Sequence, residues 1–320
     1  MTALRLGLLS TARINRAILN GARDSDRVDV VAVASRDAAK AQAYASEHGL
    51  QRAHGSYEGL LEDPDVDGVY ISLPNSLHHE WTLHALAAGK HVLSEKPYSR
   101  RPAEVEEAFD AADSAGLVLM EAFMYRHHPQ TALVRKLVEE GRIGALRLIR
   151  TTFSFLLTDP ANVRLRPELD GGALMDVGCY CVSGLRLLAG EPERVFGEQV
   201  TGPTGVDESL YGTLRFPGDV VGQLDASFAM PERQRLEAVG DEGALVVEAP
   251  WRVDLGGRMF VDGEPVDVPE SDSYRLELEN LAAAAAGEAE PLLGRDDALG
   301  QARTIEALYR SAETGSAVTI

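Results

Sequence analysis

From residue 4 to residue 122 the chain alternates short apolar runs with segments of helical composition, a pattern that few folds accommodate. Leu4 to Leu9, Val28 to Ala34, Gly68 to Leu73, His91 to Leu93 and Leu117 to Met120 have the length and aliphatic content of buried strands. Arg13 to Asn20, Ala38 to His48, Leu77 to Ala88 and Ala103 to Ala115 lie between them as helices. Such alternation predicts a doubly wound parallel sheet, because a helical crossover is what lets each strand run parallel to the last. Asp37 is placed to cap the second helix and Pro102 to open the fourth, while Gly89 and Gly116 suit helix ends. In an open parallel sheet, ligands bind outside the carboxyl ends of the strands, so the residues following each strand carry the chemical reading.

After the first strand the turn reads Ser10-Thr11-Ala12-Arg13-Ile14-Asn15. A dinucleotide-binding turn of the form G-x-G-x-x-G would put glycines at Ser10, Ala12 and Asn15, and none is present, since Gly7 lies within the strand. Small Ser10 and Ala12 still allow Ser10, Thr11, Ala12, Arg13 and Ile14 to approach a pyrophosphate at a helix N-terminus. Asn15 is expected to loosen the packing of helix on strand. The second strand ends in Ala34-Ser35-Arg36, where a site preferring NAD would carry a carboxylate for the ribose hydroxyls. A serine and a guanidinium suit a 2′-phosphate instead, so Ser35 and Arg36 predict NADP over NAD, with Asp37 tempering the positive field.

Leu73-Pro74-Asn75-Ser76-Leu77-His78 follows the next strand, and Leu73, Pro74, Asn75 and His78 are expected beside the nicotinamide. Asn75 or Ser76 is equally placed to cap the helix that follows. His79, Glu80 and His84 do not form a zinc helix, because a histidine spacing of five does not put both on one face. No metal is expected.

His91-Val92-Leu93-Ser94-Glu95-Lys96-Pro97 ends a buried strand in a carboxylate, an ammonium and a proline. Lys96 is one of four lysines, with Lys40, Lys90 and Lys136, in a chain whose other cations are arginine. A lysine's pKa is tuned by its surroundings and an arginine's is not, so Lys96 is a candidate catalytic group, with Glu95 and Arg126 on the cofactor side. A salt bridge before a turn is the plainer reading of the same tripeptide.

After Met120 the pattern changes, and the domain boundary is expected near residue 122, giving a dinucleotide-binding domain over 1–122 and a second domain over 123–320. Thr131 to Glu140 reads as a helix and Ala145 to Leu157 as a long strand, followed by a polar loop over Thr158 to Pro167. Gly171-Gly172 then releases the chain into a helix from Ala173 to Ala189, on which Asp176 and Tyr180 stand at i, i+4 and share a face. A carboxylate and a phenol aligned on an apolar helix are candidates for chemistry, although a buried tyrosine with a hydrogen-bond partner is common. Phe196 to Val200, Leu210 to Phe216, Val220 to Phe228, Arg235 to Val239, Ala244 to Glu248, Trp251 to Leu255 and Met259 to Val261 read as a meandering antiparallel sheet, with turns such as Gly256-Gly257. Ser273 to Ala286 and Asp296 to Ser311 close the chain as helices. A sheet covered on one face leaves the other for a partner, which predicts a homo-oligomer, dimer or tetramer.

Composition narrows the partners. At 320 residues the chain suits two domains. A net charge of -19 opposes nucleic-acid and anionic-membrane surfaces, leaving small molecules. Cys179 and Cys181 are too close for a structural disulfide and fit a reducing, cytoplasmic setting. No signal pattern opens the chain and no apolar stretch approaches the ~18 residues of a membrane span.

Glu95-Lys96-Pro97, with Glu121-Ala122-Phe123-Met124-Tyr125-Arg126 and the block from Gly171 to Tyr180, resembles the glucose-fructose oxidoreductase / inositol dehydrogenase (Gfo/Idh/MocA) family over essentially the whole chain. Within it, these blocks look like the branch of dimeric dihydrodiol dehydrogenases and NADP-dependent xylose dehydrogenases. The resemblance implies an N-terminal Rossmann domain and a C-terminal α+β domain with an open-faced, largely antiparallel sheet. It further implies a nicotinamide cofactor and a sugar, polyol, diol or keto-sugar substrate, with Lys96 and Asp176 lining the substrate site. Tyr180 then stands where many relatives carry histidine. With Tyr180 as acid/base and Lys96 lowering its pKa, the chain is expected to be a dehydrogenase or reductase acting on CH-OH groups. A silent NAD(P)-binding sensor, or an enzyme recycling tightly held NADP between two sugars, are the alternatives.

Overall fold

The computed structural model describes residues 3–253 and 257–320, which form two units. The first comprises the residues through Ser99, Ala103–His127 and Asp272–Leu299; the second comprises Arg100–Pro102, His128–Ser271 and Gly300–Ile320.

The first unit contains β1 (Leu4–Leu9), α1 (Asn15–Arg23), β2 (Val28–Ala34), α2 (Ala38–His48), β3 (Arg52–His54), α3 (Tyr57–Leu61), β4 (Gly68–Ile71), α4 (His78–Ala87), β5 (His91–Glu95), α5 (Pro102–Ala115) and β6 (Leu119–Ala122). All strand pairs are parallel, in the order β3-β2-β1-β4-β5-β6. Leu6, Leu8 and Leu9 of β1 and Val69, Tyr70 and Ile71 of β4 have no exposed surface, the signature of strands covered on both faces. The order reverses between β1 and β4, so the turns after these two strands diverge and open a crevice. Asp37 caps α2 by accepting from the N–H groups of Ala39 and Lys40, and Gly89 and Gly116 follow their helices with φ of 76° and 64°. Strand β3 and helix α3 were not expected. Three half-buried residues and a five-residue helix give too short a stretch for periodicity to register.

The second unit starts with α6 (Pro129–Glu139), β7 (Leu146–Leu156) and α7 (Cys179–Ala189), followed by β8 (Arg194–Thr201), β9 (Asp207–Arg215), β10 (Val221–Ser227), β11 (Ala229–Gly240), β12 (Ala244–Glu248), β13 (Arg258–Val261) and β14 (Glu264–Val266). Helix α8 (Ser273–Ala285), which belongs to the first unit, and α9 (Arg295–Thr314), which begins in it, precede β15 (Val318–Thr319). The nine strands order as β14-β13-β12-β11-β7-β10-β9-β8-β15. One pair departs from the expected antiparallel meander. Strand β10 lies parallel to β7, because β8, β9 and β10 form their own meander that returns along one edge of β7 while β11 takes the other. Trp251, read as the start of a strand, is instead a fully buried anchor whose indole donates to the carbonyl of Thr152 at 3.1 Å. The rest of that expected strand and its Gly256-Gly257 turn lie partly outside the described residues.

Helix α8 corrects the sequence reading, which gave it to the second domain. A Cβ added to Gly21 of α1 would sit 2.7 Å from the backbone nitrogen of Arg275, so this glycine lets α8 pack backbone to backbone against α1 in the first unit. Among the described residues no clear membrane span is present: Pro167–Ala189 contains one apolar window, 78% of it buried, as suits a core helix.

Candidate active site

At the carboxyl edge of the first sheet, Ser10 adopts φ 147°, a region that glycine enters freely and other residues rarely. Its hydroxyl meets the hydroxyl of Ser72 at 2.7 Å and the Ser72 carbonyl at 3.1 Å, and accepts the N–H of Ala12 at 3.1 Å. Ser10 thus keeps a glycine-like backbone and uses its side chain to tie the turn after β1 to the turn after β4. Asn15 does not loosen the packing as expected. It is fully buried, and its amide donates to the carbonyl of Ser10 at 2.8 Å, closing the turn on itself. Thr11, Ala12 and Ile14 are half-buried and Arg13 is exposed, so the turn leading into α1 stays open to a diphosphate.

At the end of β2, the Ser35 hydroxyl accepts the N–H of Asp37 at 3.2 Å, and the Asp37 carboxylate is engaged as the cap of α2. Arg36 is exposed, within reach of the Tyr57 hydroxyl. A strand end with a guanidinium and a carboxylate already engaged in capping fits a phosphomonoester better than a free ribose diol.

The turns after β4 and β5 are fastened together by His78. Its Nδ1 lies 3.0 Å from the carbonyl of Pro97 and its Nε2 2.8 Å from that of Leu73, and burial pushes its pKa down. With no exposed surface, His78 cannot touch a cofactor directly, which corrects its expected role; it is a strut. Leu73 is buried, and Pro74 and Asn75 are half-buried on the same turn. Neither Asn75 nor Ser76 caps α4, because a short 3-10 turn over Asn75–Leu77 intervenes and Leu77 takes the cap position.

Glu95 ends β5 with both carboxylate oxygens directed to protein groups. Tyr70 donates its hydroxyl to Oε1, and the backbone N–H of Lys96 donates to Oε2 at 3.2 Å. Lys96 is half-buried at the strand end and its bond to Pro97 is cis. Arg126 is directed to Asp297, at 3.1 Å.

In the second unit, the expected continuous helix over Ala173–Ala189 is a π-helical segment, Leu174–Gly178, running into α7. Such segments recur at functional sites. The preceding glycines are required: a Cβ on Gly171 would lie 2.4 Å from the carbonyl of Arg164, and one on Gly172, whose φ is 126°, 2.0 Å from Asp207 Oδ1. Asp176 pairs with Arg164 Nε at 2.6 Å. The ring of Tyr180 is buried between Phe153, at 5.6 Å, and Trp251, at 6.1 Å between centroids. Cys179 and Cys181 are buried thiols not joined in a disulfide, and burial pushes the Cys181 thiol well up.

Residues 5–123 match the oxidoreductase family with an NAD-binding Rossmann fold, and residues 131–246 match the GFO/IDH/MocA C-terminal domain. The chain belongs to the GFO/IDH/MocA oxidoreductase family. A GFO/IDH/MocA relative, the D-xylose 1-dehydrogenase (NADP(+)) 2 of Haloferax volcanii, is 39% identical over 99% of this chain and 100% of its own. The aldose-aldose oxidoreductase of Caulobacter crescentus, solved with glycerol, superposes with a TM-score of 0.91 at 29% identity, covering 99% of this chain and 100% of that one. A 3-ketoreductase from Actinomadura kijaniata, solved with NADP and TDP-benzene, gives 0.92 at 29% identity over 97% and 98%. It has also been solved as variants of one tyrosine and one lysine, whose separation in sequence equals that of Lys96 and Tyr180. This GFO/IDH/MocA chain is a dehydrogenase or reductase of CH-OH groups.

Arg164 and Asp207 escaped the sequence reading of the GFO/IDH/MocA motifs. The first was legible only as part of a polar loop, and the second stands 33 residues from the N–H it binds, with no local pattern to mark it.

Proposed function

We propose that this oxidoreductase uses NADP and interconverts a carbohydrate-like CH-OH group and its carbonyl, with Tyr180 as the acid/base and Lys96 as the cation that assists it. The observation that carries the reading is the setting of Tyr180: a phenol held by two aromatic rings in a helix that opens with a π-helical segment, with a paired carboxylate, Asp176, one turn earlier. A tyrosine packed only for stability needs neither that segment nor the ion pair. The bound nicotinamide supplies or accepts the hydride.

The protein's own groups handle the proton. A phenol with a reference pKa of about 10 is a poor base at neutral pH, and an ammonium nearby favours the phenolate. In oxidation Tyr180 takes the proton of the substrate hydroxyl, and in reduction it returns one to the carbonyl oxygen. Asp176, oriented by Arg164, accepts from a second substrate hydroxyl. Ser35 and Arg36 hold the 2′-phosphate, and the turn over Ser10 to Ile14 receives the diphosphate. The lysine and tyrosine varied in the ketoreductase support this pairing. Tyr180→Phe should lower kcat by about a thousandfold, within the range for removing an acid/base, while NADPH affinity is retained. Full turnover in that variant would sink the assignment.

A second reading, favoured by the likeness to an aldose-aldose oxidoreductase, is that this chain keeps NADP bound and recycles it between two sugars. Protein purified with stoichiometric nucleotide would favour it over free exchange.

The cytoplasm is the setting proposed for this chemistry, and a second copy of the chain is the partner proposed for the uncovered face of the nine-stranded sheet. Phe196, Val200 and Tyr211 are 43%, 54% and 41% exposed on that face, an apolar border beside the Arg150–Glu237 pair. Phe196→Glu combined with Tyr211→Glu should shift sedimentation to the monomer, and an unchanged oligomer would move the interface elsewhere.

A further inference from the structure

Asp207 opens β9 almost completely buried, at 4% exposure. Its Oδ2 accepts the N–H of Leu174 at 2.7 Å, and its Oδ1 accepts the hydroxyl of Tyr309 at 2.9 Å. Leu174 is the first residue of the π-helical segment that bears Asp176 and leads to Tyr180. Ala173, at the cap position of that segment, offers no side-chain cap. The carboxylate therefore reaches the helix from a residue 33 positions away, and Gly172 leaves the room for it.

The groups around Asp207 come from every element packed on it. Arg100 lies over the Tyr309 ring at 5.3 Å and pairs with Asp170 at 3.3 Å, while Arg101 pairs with Asp170 at 2.8 Å. Gln199 of β8 and Glu313 of α9 complete the wall of a cavity of about 150 Å³. Both cations pair with Asp170, while the Asp207 carboxylate accepts from neutral donors and feels the charge of Arg100.

We propose that Asp207 is a positioning residue for the reaction, its ionised carboxylate fixing the amino end of the segment that carries Asp176 and Tyr180. The inference rests on the reading of Tyr180 as acid/base. A carboxylate at a helix N-terminus accepts the free N–H and complements the positive end of the helix. A protonated carboxyl does neither as well, because its proton occupies one oxygen while both oxygens face donors. Burial pushes the pKa of Asp207 up to about 6, opposed by the Leu174 N–H, the Tyr309 hydroxyl and the charge of Arg100. Tyr309 is itself pushed well up by burial and by Asp207, so it remains a donor throughout.

The experiment is the pH dependence of kcat and KM in three proteins, with NADPH binding measured separately. The parent should lose kcat through an acid limb near pH 6. Asp207→Asn, of the same shape but without the charge, should show at every pH the low kcat that the parent reaches only below that limb, about tenfold down, with NADPH affinity unchanged. Should Asp207→Asn fail to fold, Tyr309→Phe keeps the test: loss of a donor to the carboxylate should move the limb to higher pH. A parent without the limb, an Asp207→Asn protein with full kcat at pH 8, or a limb unmoved in Tyr309→Phe overturns the proposal. Tyr180→Phe separates the two ideas. If it keeps full turnover the acid/base reading fails, whereas dependence on Tyr180 with an unmoved limb fails only the role of Asp207.

Discussion

Two places in this molecule turn the chain into a helix beside the proposed chemistry, and they are held in opposite ways. After β1, positions suited to glycine carry side chains, and Ser10 and Asn15 stabilise the turn with bonds to Ser72 and to each other's neighbourhood. Before the π-helical segment, Gly171 and Gly172 are present, and residues outside the turn supply the polar groups: Asp207, Tyr309 and Arg164. The first turn supplies the fastening side chains itself, Ser10 and Asn15, with Ser10 reaching out to Ser72. The second depends on a scaffold, so changes there should propagate further.

The largest effect expected from this difference is at Gly172. Gly172→Ala puts a methyl 2.0 Å from Asp207 Oδ1 at a φ of 126°, and it should cost roughly 3 kcal/mol or more in urea unfolding. Gly89→Ala is the control, with φ 76° and nothing within 4 Å, and its cost should stay near 1 kcal/mol. Equal losses would mean that conformation alone matters and the carboxylate contact does not.

Next in size is the cofactor side. Arg36→Ala should weaken NADPH binding at least tenfold, corresponding to about 1.5 kcal/mol for a charge-assisted hydrogen bond, with NADH affinity nearly unchanged. Parallel losses for both nucleotides, followed by nicotinamide fluorescence, would remove Arg36 from the 2′-phosphate.

The smallest effect is the most diagnostic of the first turn. Ser10→Ala keeps the unfavourable φ and loses the bonds to Ser72, so it should destabilise by about 1–2 kcal/mol. Ser10→Gly loses the same bonds but relieves the backbone, and its net cost should be below about 1 kcal/mol. The usual order of alanine and glycine is thereby reversed.

The same contrast explains what the sequence made legible. The parallel sheet, the cap at Asp37 and the helix ends at Gly89 and Gly116 follow from patterns a few residues long, and they are where the reading put them. The sequence singles out Lys96 because a motif coincides with a strand end, and Tyr180 because it stands one turn after Asp176 on an apolar helix. His78 was misread as a cofactor contact because its polar character is visible in sequence and its burial between two carbonyls is not. The π-helical segment is a shift of hydrogen-bond register, which residue type does not encode strongly. Pairings such as Arg164 with Asp176 and Asp207 with Leu174 exist only once the chain has folded.

Helix α8 gives the order of synthesis a physical meaning. When residues through His127 have left the ribosome, all six strands of the parallel sheet are available, yet the surface of α1 around Gly21 still faces water. The helix that covers it, with Leu278 and Leu281 wholly buried, is translated only after eight of the nine strands of the second sheet, β7 through β14. The cofactor-binding half is thus the first to begin and among the last to close, and a nascent chain carries an unfinished apolar seam through most of its elongation.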